Sequence, residues 1–149
     1  MKDLPVKSLE DIRKLNPCYD PGKYAPVNWQ GTVLDVLKAE QVPAADRIWL
    51  VCHKGWIDDR TLRMFACWCA REALARIDNP DPRSINAVEV AERYANGKAT
   101  KIELYAARDA AWDAAWAADR AAAWAAARAA DREADREAQV KQLIKMLEE

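Results

Sequence analysis

The C-terminal third of the chain constrains its fold more than any other segment. From residue 101 to residue 149 the sequence contains neither proline nor glycine, and alanine fills most positions between residues 106 and 130. Alanine is the strongest helix former, so this stretch is predicted to be helical with little help from tertiary contacts. Thr100 and Glu103 have the spacing of a capping box, in which each side chain bonds the backbone N–H of the other. The sequence therefore predicts a long C-terminal helix that starts after Thr100.

The length of this helix leaves two arrangements open. A straight helix over residues 101–149 would be roughly 70 Å long, which exceeds the width of a domain of this size. It is predicted either to bend back near residues 131–138 or to project and pair with a partner. Its last turns regain an apolar stripe at helical spacing, which we expect to dock on the body of the protein or on a second copy: Val140, Leu143, Ile144 and Leu147.

Further helices are predicted upstream from start and stop signals. Each predicted segment opens with a polar N-cap residue or a first-turn proline, and each ends near proline, glycine or asparagine. The segments are residues 9–15, 32–40, 43–54, 58–77 and 81–96. They predict an all-α fold, a compact bundle of about five to six helices with a long, bent or broken C-terminal helix. We expect one domain over residues 1–149, made of a short helix and loop (1–31), a helical core (32–97) and the alanine/tryptophan-rich segment (100–149).

Aromatic side chains recur along the C-terminal helix. On a helical wheel, Tyr105, Trp112 and Trp116 fall in one arc with Ile102, whereas Trp124 lies off that arc. The rings on the arc are predicted to be core residues. Alternatively, Trp116 or Trp124 is an exposed anchor at an interface, where tryptophan is enriched. Stacking of a nucleobase on a tryptophan is a third, less favoured interpretation because no basic run accompanies the rings.

The proline-rich loop at residues 16–31 is predicted to be ordered. It contains Tyr19, Tyr24 and Trp29, which either cover the core or line a recognition surface. Arg60 and Arg63, on the amphipathic helix that follows, could serve the same surface, although a solvated helix flank explains them as well.

The net charge and the N-terminal sequence limit the expected partners and the expected compartment. The formal net charge is -1, with acidic and basic residues nearly balanced, which disfavours nucleic acid as a partner. The N-terminus carries charges and a proline in place of an apolar signal stretch, and no segment is apolar enough to span a membrane. The chain is therefore expected to be cytoplasmic, with its cysteines reduced.

The cysteines and the single histidine are the candidates for chemistry. Cys67 and Cys69 are two residues apart on a helix and project in different directions, and Cys69 is assigned to the buried stripe. A zinc site from Cys52, His53 and a later thiol, or a thiol–imidazole pair with Cys18 or Cys69, would need a coincidence of packing. We therefore predict no enzyme activity, no catalytic residue, no metal and no cofactor.

Three stretches carry a resemblance to a known family. TLRMFACWCAREAL, DPRSINAVEVAERYANGKAT and AARDAAWDAAWAADRAAAWAAARAA resemble a group of alanine/tryptophan-rich helical bacterial and phage proteins, similar to the Imm5-like immunity protein family, over roughly the last 90 residues. That family offers no catalytic residues to carry over. The resemblance implies an interaction role, in which the protein neutralises a toxin or blocks a host defence enzyme.

The sequence therefore predicts a non-enzymatic binding protein that inhibits or masks another macromolecule, of the immunity or phage anti-defence kind. A protein that sequesters a nucleotide or small molecule, using Arg60, Arg63 or Arg108 beside a ring, is the alternative, and a structural phage protein that oligomerises is a third. The expected partner is a toxin or host defence enzyme, with a homodimer through the C-terminal helix as a further option and no membrane contact. The candidate binding residues are Tyr19, Tyr24, Trp29, Arg60, Arg63, Trp116 and Trp124.

Overall fold

The computed structural model describes residues 3–117 and 133–149, and the side chains of residues 3–114 and 134–149. Within these residues the predicted all-α fold class is confirmed, since seven α-helices and one pair of two-residue strands are present. The helices are α1 (Leu9–Arg13), α2 (Val33–Leu37), α3 (Ala44–Val51), α4 (Asp59–Leu74), α5 (Pro82–Ala95), α6 (Lys101–Ala117) and α7 (Glu133–Glu148). The strands are β1 (Lys7–Ser8) and β2 (Gln30–Gly31).

Local capping interactions start the helices where the sequence predicts. At α1 the Ser8 hydroxyl accepts a bond from the Asp11 backbone N–H at 3.2 Å, and the Asp11 carboxylate accepts one from the Ser8 N–H at 2.9 Å. Such reciprocal bonds satisfy amide groups that have no partner within the helix. The same capping box joins Thr32 with Asp35 at α2 and Thr100 with Glu103 at α6.

Several helices end earlier than predicted. α1, α2 and α4 stop at Arg13, Leu37 and Leu74, two or three residues before the expected ends. After each end the chain closes in a tighter turn, in which a backbone N–H bonds the carbonyl three residues earlier. These bonds are Leu15 to Ile12, Ala39 to Val36 and Ile77 to Leu74.

The two strands are absent from the sequence prediction. β1 pairs antiparallel with β2, with Lys7 opposite Gly31 and Ser8 opposite Gln30. Two residues are too few to show the alternation that identifies a strand in a sequence. The pairing places the far end of the proline-rich loop beside α1.

The chain folds as two compact units. Unit 1 comprises Met1–Asp58 and Arg136–Glu149, and unit 2 comprises Asp59–Asp135. The expectation that residues 1–149 form a single domain stays a prediction. Whether residues 101–149 form one continuous helix depends on residues 118–132, which lie outside the described part of the chain.

Unit 1 buries the apolar stripe of α7. Val140, Leu143 and Leu147 are all buried, and Leu143 has no exposed surface. They share the unit with buried residues of α1 to α3, among them Leu9 and Leu37. Three of the four predicted stripe residues are therefore docked within unit 1, and the fourth, Ile144, is half-buried.

A buried arginine connects three helices of unit 1. The side chain of Arg47, on α3, is 2% exposed and donates to the Leu37 carbonyl at the end of α2 at 2.8 Å. Its other terminal nitrogen pairs with the Glu137 carboxylate of α7. Because a buried guanidinium is costly without partners, these two bonds fix α7 to the α2–α3 layer.

In the described part of unit 2, α4, α5 and α6 form a layer with α5 in the middle. α5 packs against both α4 and α6, whereas the described parts of α4 and α6 hardly touch each other. α6 meets α5 through small side chains, since Ala107 and Ala114 are buried there. Alanines allow close approach of the two helices and leave little buried volume for larger side chains.

Two burial predictions in unit 2 are wrong. Tyr105 and Trp112 were expected in the core, yet their exposed fractions are 45% and 66%. Ile102, on the same helical arc, is 81% exposed. α6 turns its alanine face towards α5, which leaves these side chains at the surface. On α4 the buried thiol is Cys67, whereas Cys69 is half-buried, because helical periodicity alone does not show which face a neighbour covers.

Candidate functional site

Unit 2 contains an apolar groove of about 420 Å³ that lies over α5, between α4 and α6. We call it the alanine groove. Its described lining is apolar apart from one thiol, two arginines and two tyrosines. The lining residues are Arg63, Ala66, Cys67 and Ala70 from α4, Ala87, Val88, Ala91 and Tyr94 from α5, and Leu104, Tyr105, Arg108 and Ala111 from α6.

The groove follows from one repeated spacing in three successive helices. The lining residues of each helix are three, four or seven positions apart in the sequence. Residues with this spacing lie on one face of a helix, here over about two turns. Alanines occupy the middle of these faces, and an alanine projects no further than its Cβ atom. Among the described residues, α4 and α6 hardly touch across α5, and an open space lies above this floor. Within that part of the chain, no helix packs on this face.

The arginine on each wall lies beside a tyrosine ring, that of α5 for the α4 wall and that of α6 for the α6 wall. The Arg63 guanidinium lies 5.1 Å from the centre of the Tyr94 ring, and that of Arg108 lies 5.0 Å from the centre of the Tyr105 ring. Cation–π attraction at such distances favours keeping each guanidinium beside its ring. Trp112 projects only about 40° from Arg108 on the helical wheel, so its exposed indole continues the α6 wall outward.

The pKa values of the titratable groups next to the groove are shifted in directions that disfavour proton transfer near neutral pH. Burial raises the pKa of the Cys67 thiol, with a smaller contribution from Glu92, so the thiol is neutral and acts as an apolar lining group. Glu92 itself accepts two bonds from the Arg71 guanidinium, at 2.6 and 2.7 Å, which lower its pKa. The groove has the chemistry of a binding surface.

Of the predicted arginines, Arg63 and Arg108 line this groove and Arg60 does not. Arg63 is part of its lining, whereas the Arg60 guanidinium donates to the Asn96 side chain at 2.6 Å and ties the start of α4 to the end of α5. The side chains of Trp116 and Trp124, the two predicted tryptophan anchors, lie outside the described residues.

The three predicted loop aromatics come together elsewhere, in unit 1. Tyr19, Tyr24 and Trp29 are half-buried and share the lining of a hollow of about 60 Å³ over α1, α2 and α3. The two tyrosine rings meet edge to face with centres 6.0 Å apart, and burial raises the pKa of Tyr19 to about 12. A Cβ atom on Gly31 would lie 2.6 Å from the Trp29 ring, so this packing requires glycine there. A hollow of this size holds no drug-sized ligand.

The structure also brings two cysteines and the histidine to one surface hollow of unit 1. Cys18, Cys52 and His53 line it together with Asp46 and Arg136. The His53 Nδ1 atom is 2.8 Å from the Trp49 carbonyl in the last turn of α3, as expected for a histidine at a helix C-terminus. Desolvation raises the pKa of the Cys52 thiol, which disfavours its nucleophilic form. Among the described residues, no three His, Cys, Asp or Glu side chains are placed to hold one metal ion.

Sequence reasoning missed most of the residues of the alanine groove. Tyr94, Ala87 and Ala91 were not singled out, and Tyr105 was assigned to the core. A signal was present, because Ala66 with Ala70 and Ala87 with Ala91 repeat a four-residue spacing on consecutive helices. Alanine pairs with this spacing also occur where two helices pack closely together. Only the tertiary structure shows that these alanines form the floor of the groove.

The fold and the groove define an all-α chain with an open, apolar, positively rimmed surface. In the described ranges, no helix combines the length and the apolar character needed to cross a lipid bilayer. No protein-family model matches this chain, and neither a curated protein nor a solved structure matches it. The resemblance to Imm5-like immunity proteins therefore stays a prediction.

Proposed function

We propose that this chain is a non-enzymatic binding protein that masks another protein, and that the alanine groove takes up an α-helix of that partner. The observation that carries the proposal is the set of three parallel residue stripes around one open floor. Docking of an amphipathic helix into an apolar groove is a recurrent mode of protein recognition. A helix in this groove would complete a four-helix arrangement with α4, α5 and α6.

The surroundings of the groove suit a protein partner. Alanines on the floor let a partner backbone approach closely, as small residues do wherever helices pack tightly. Tyr105 and Trp112 stand exposed on the α6 wall, and tyrosine and tryptophan are the residues most enriched among interface hot spots. A stable interface needs about 800 Å² from each partner, so these exposed rings would extend the contact beyond the groove itself.

The family resemblance suggests what the partner is. Proteins similar to the Imm5-like family are expected to neutralise a toxin or, when phage-encoded, to block a host defence enzyme. We place this binding in the cytoplasm. Masking needs no chemistry from the protein, in keeping with the neutral thiol and engaged carboxylate next to the groove.

A groove-filling substitution tests the proposal. Ala91 lies on the floor, so Ala91→Phe should occupy the space meant for the partner helix, whereas Ala106→Phe adds the same ring at an exposed position of α6 outside the groove. Both variants and the parent chain are used as bait in a host lysate, and captured proteins are quantified by mass spectrometry. We expect a stoichiometric partner that is retained by Ala106→Phe and lost by Ala91→Phe. That partner, once purified, should lose its activity at a 1:1 ratio with the parent chain.

Two results would contradict this function. One is a captured partner that binds Ala91→Phe as well as the parent chain, when circular dichroism shows both to be folded. The other is the absence of any stoichiometric partner across the hosts tested.

A second candidate is the sequestration of a small anionic molecule. The observation in its favour is that each wall carries a guanidinium that lies beside a tyrosine ring. The volume of the groove also falls in the usual range for small-molecule sites. A thermal-shift screen with nucleoside monophosphates and aromatic carboxylates tests it. A ligand that raises Tm in the parent chain but not in the double variant Arg63→Ala/Arg108→Ala would favour this candidate over protein masking.

A further inference from the structure

The described lining residues of the alanine groove carry charge of one sign only. Arg63 stands on the α4 wall and Arg108 on the α6 wall, and no carboxylate is found among the described lining residues. The whole chain has a formal charge of -1, so this positive character is local to the groove. Both guanidinium groups are held beside tyrosine rings, which restricts their movement before any partner binds.

Nearby carboxylates are engaged in other interactions. Glu92 accepts two bonds from Arg71, and Glu103 caps the start of α6. Asp109 bonds its neighbour Arg108 at 3.1 Å, but both side chains are more than two-thirds exposed. A surface pair of this kind contributes little to stability, so a better-placed carboxylate can replace Asp109 at small cost. The groove thus presents two cations that an incoming acidic group can reach.

We propose that the partner helix is acidic and amphipathic. In this inference, which rests on the proposed function, its apolar stripe lies on the alanine floor and carboxylates on its two flanks meet Arg63 and Arg108. Guanidinium groups bind carboxylates through paired, charge-assisted hydrogen bonds, which strengthen as the interface excludes water. A basic helix of the same shape would bring like charges together and leave them without partners, so charge sets the specificity of the groove.

Two synthetic peptides make this testable on the full-length chain. Each has about 18 residues in an alanine-rich helical background with the same leucine stripe, and the flanks carry glutamate in one and lysine in the other. Binding is measured by fluorescence anisotropy of the labelled peptide at low and high salt. We expect the glutamate peptide to bind at least about tenfold more tightly than the lysine peptide, with an advantage that shrinks as salt screens the charges.

Two charge-reversal variants, one inside the groove and one outside it, test whether the groove arginines set this preference. Arg63→Glu/Arg108→Glu should invert the preference, so that the lysine peptide binds better. Lys141→Glu/Lys145→Glu makes the same change in net charge at exposed positions of α7 that do not line the groove, and it should preserve the preference of the parent chain. Circular dichroism of both variants confirms that they are folded.

The outcomes separate this inference from the proposed function. Equal binding of both peptides that is abolished by Ala91→Phe would overturn the charge specificity and leave helix docking in place. Preference for the glutamate peptide that survives Arg63→Glu/Arg108→Glu would also overturn it. Failure of both peptides to bind the parent chain overturns the inference, while capture of a partner that depends on Ala91 would still support the proposed function.

Discussion

Removing one leucine of α7 should reveal how strongly the C-terminal helix is docked in unit 1. The Leu143 side chain has no exposed surface, so Leu143→Ala deletes fully buried methyl groups and leaves a cavity. Substitutions of this kind cost about 3–5 kcal/mol in well-packed cores. Because α7 is the last element of the described chain and can relax inward, we expect the lower end, about 3 kcal/mol. Alanine is also the better helix former, so a loss of helix propensity cannot account for the change.

The assay is urea unfolding followed by far-UV circular dichroism, with the free energy of unfolding taken by linear extrapolation. A loss of about 3 kcal/mol corresponds to a Tm lower by roughly 6–12 °C in a protein of this size. Lys141→Ala, at an exposed position of the same helix, is the control and should change the free energy by less than about 0.5 kcal/mol. If Leu143→Ala changed it as little as the control does, α7 would not be docked as described and the reasoning would be wrong.

Two further predictions concern pH and thiol reactivity. Hydrogen bonds from Thr32 and Arg71 hold the pKa values of Asp35 and Glu92 below their ordinary 3.8 and 4.5. A carboxyl group with a lowered folded-state pKa stabilises the fold above its unfolded pKa and loses that contribution as pH falls through the folded value. The free energy of unfolding in urea should therefore fall as the pH drops below about 4, and a rise between pH 5 and pH 3 would refute this. Among the cysteines, Ellman's reagent should modify the exposed Cys18 first, Cys52 more slowly because its pKa is raised, and the buried Cys67 last. Loss of the fastest phase in Cys18→Ser checks the order, and a fast phase that persists there would contradict it.

Where local chemistry decides the structure, the sequence was a sufficient guide. The capping boxes at Ser8, Thr32 and Thr100 involve partners three residues away, so their geometry is encoded in a few neighbouring residues. Gly97, with a φ of +69°, follows α5 at the predicted end of that helix. This too is a local effect, since glycine adopts a positive φ without strain. The early helix ends and the two-residue strands escaped prediction because short turns and pairings leave too little pattern.

The sequence alone determined that this chain is built from helices and where most of them begin, because alanine propensity and capping act within one turn of the backbone. Only the tertiary structure decided which faces meet. It buried Cys67 in place of Cys69, exposed Tyr105 and Trp112, and left Ala91 on the floor of an open groove. The physical reason is that an alanine face packs equally well against a neighbour within the chain or a partner outside it. Which of these happens depends on contacts between residues far apart in sequence, and periodicity does not encode them.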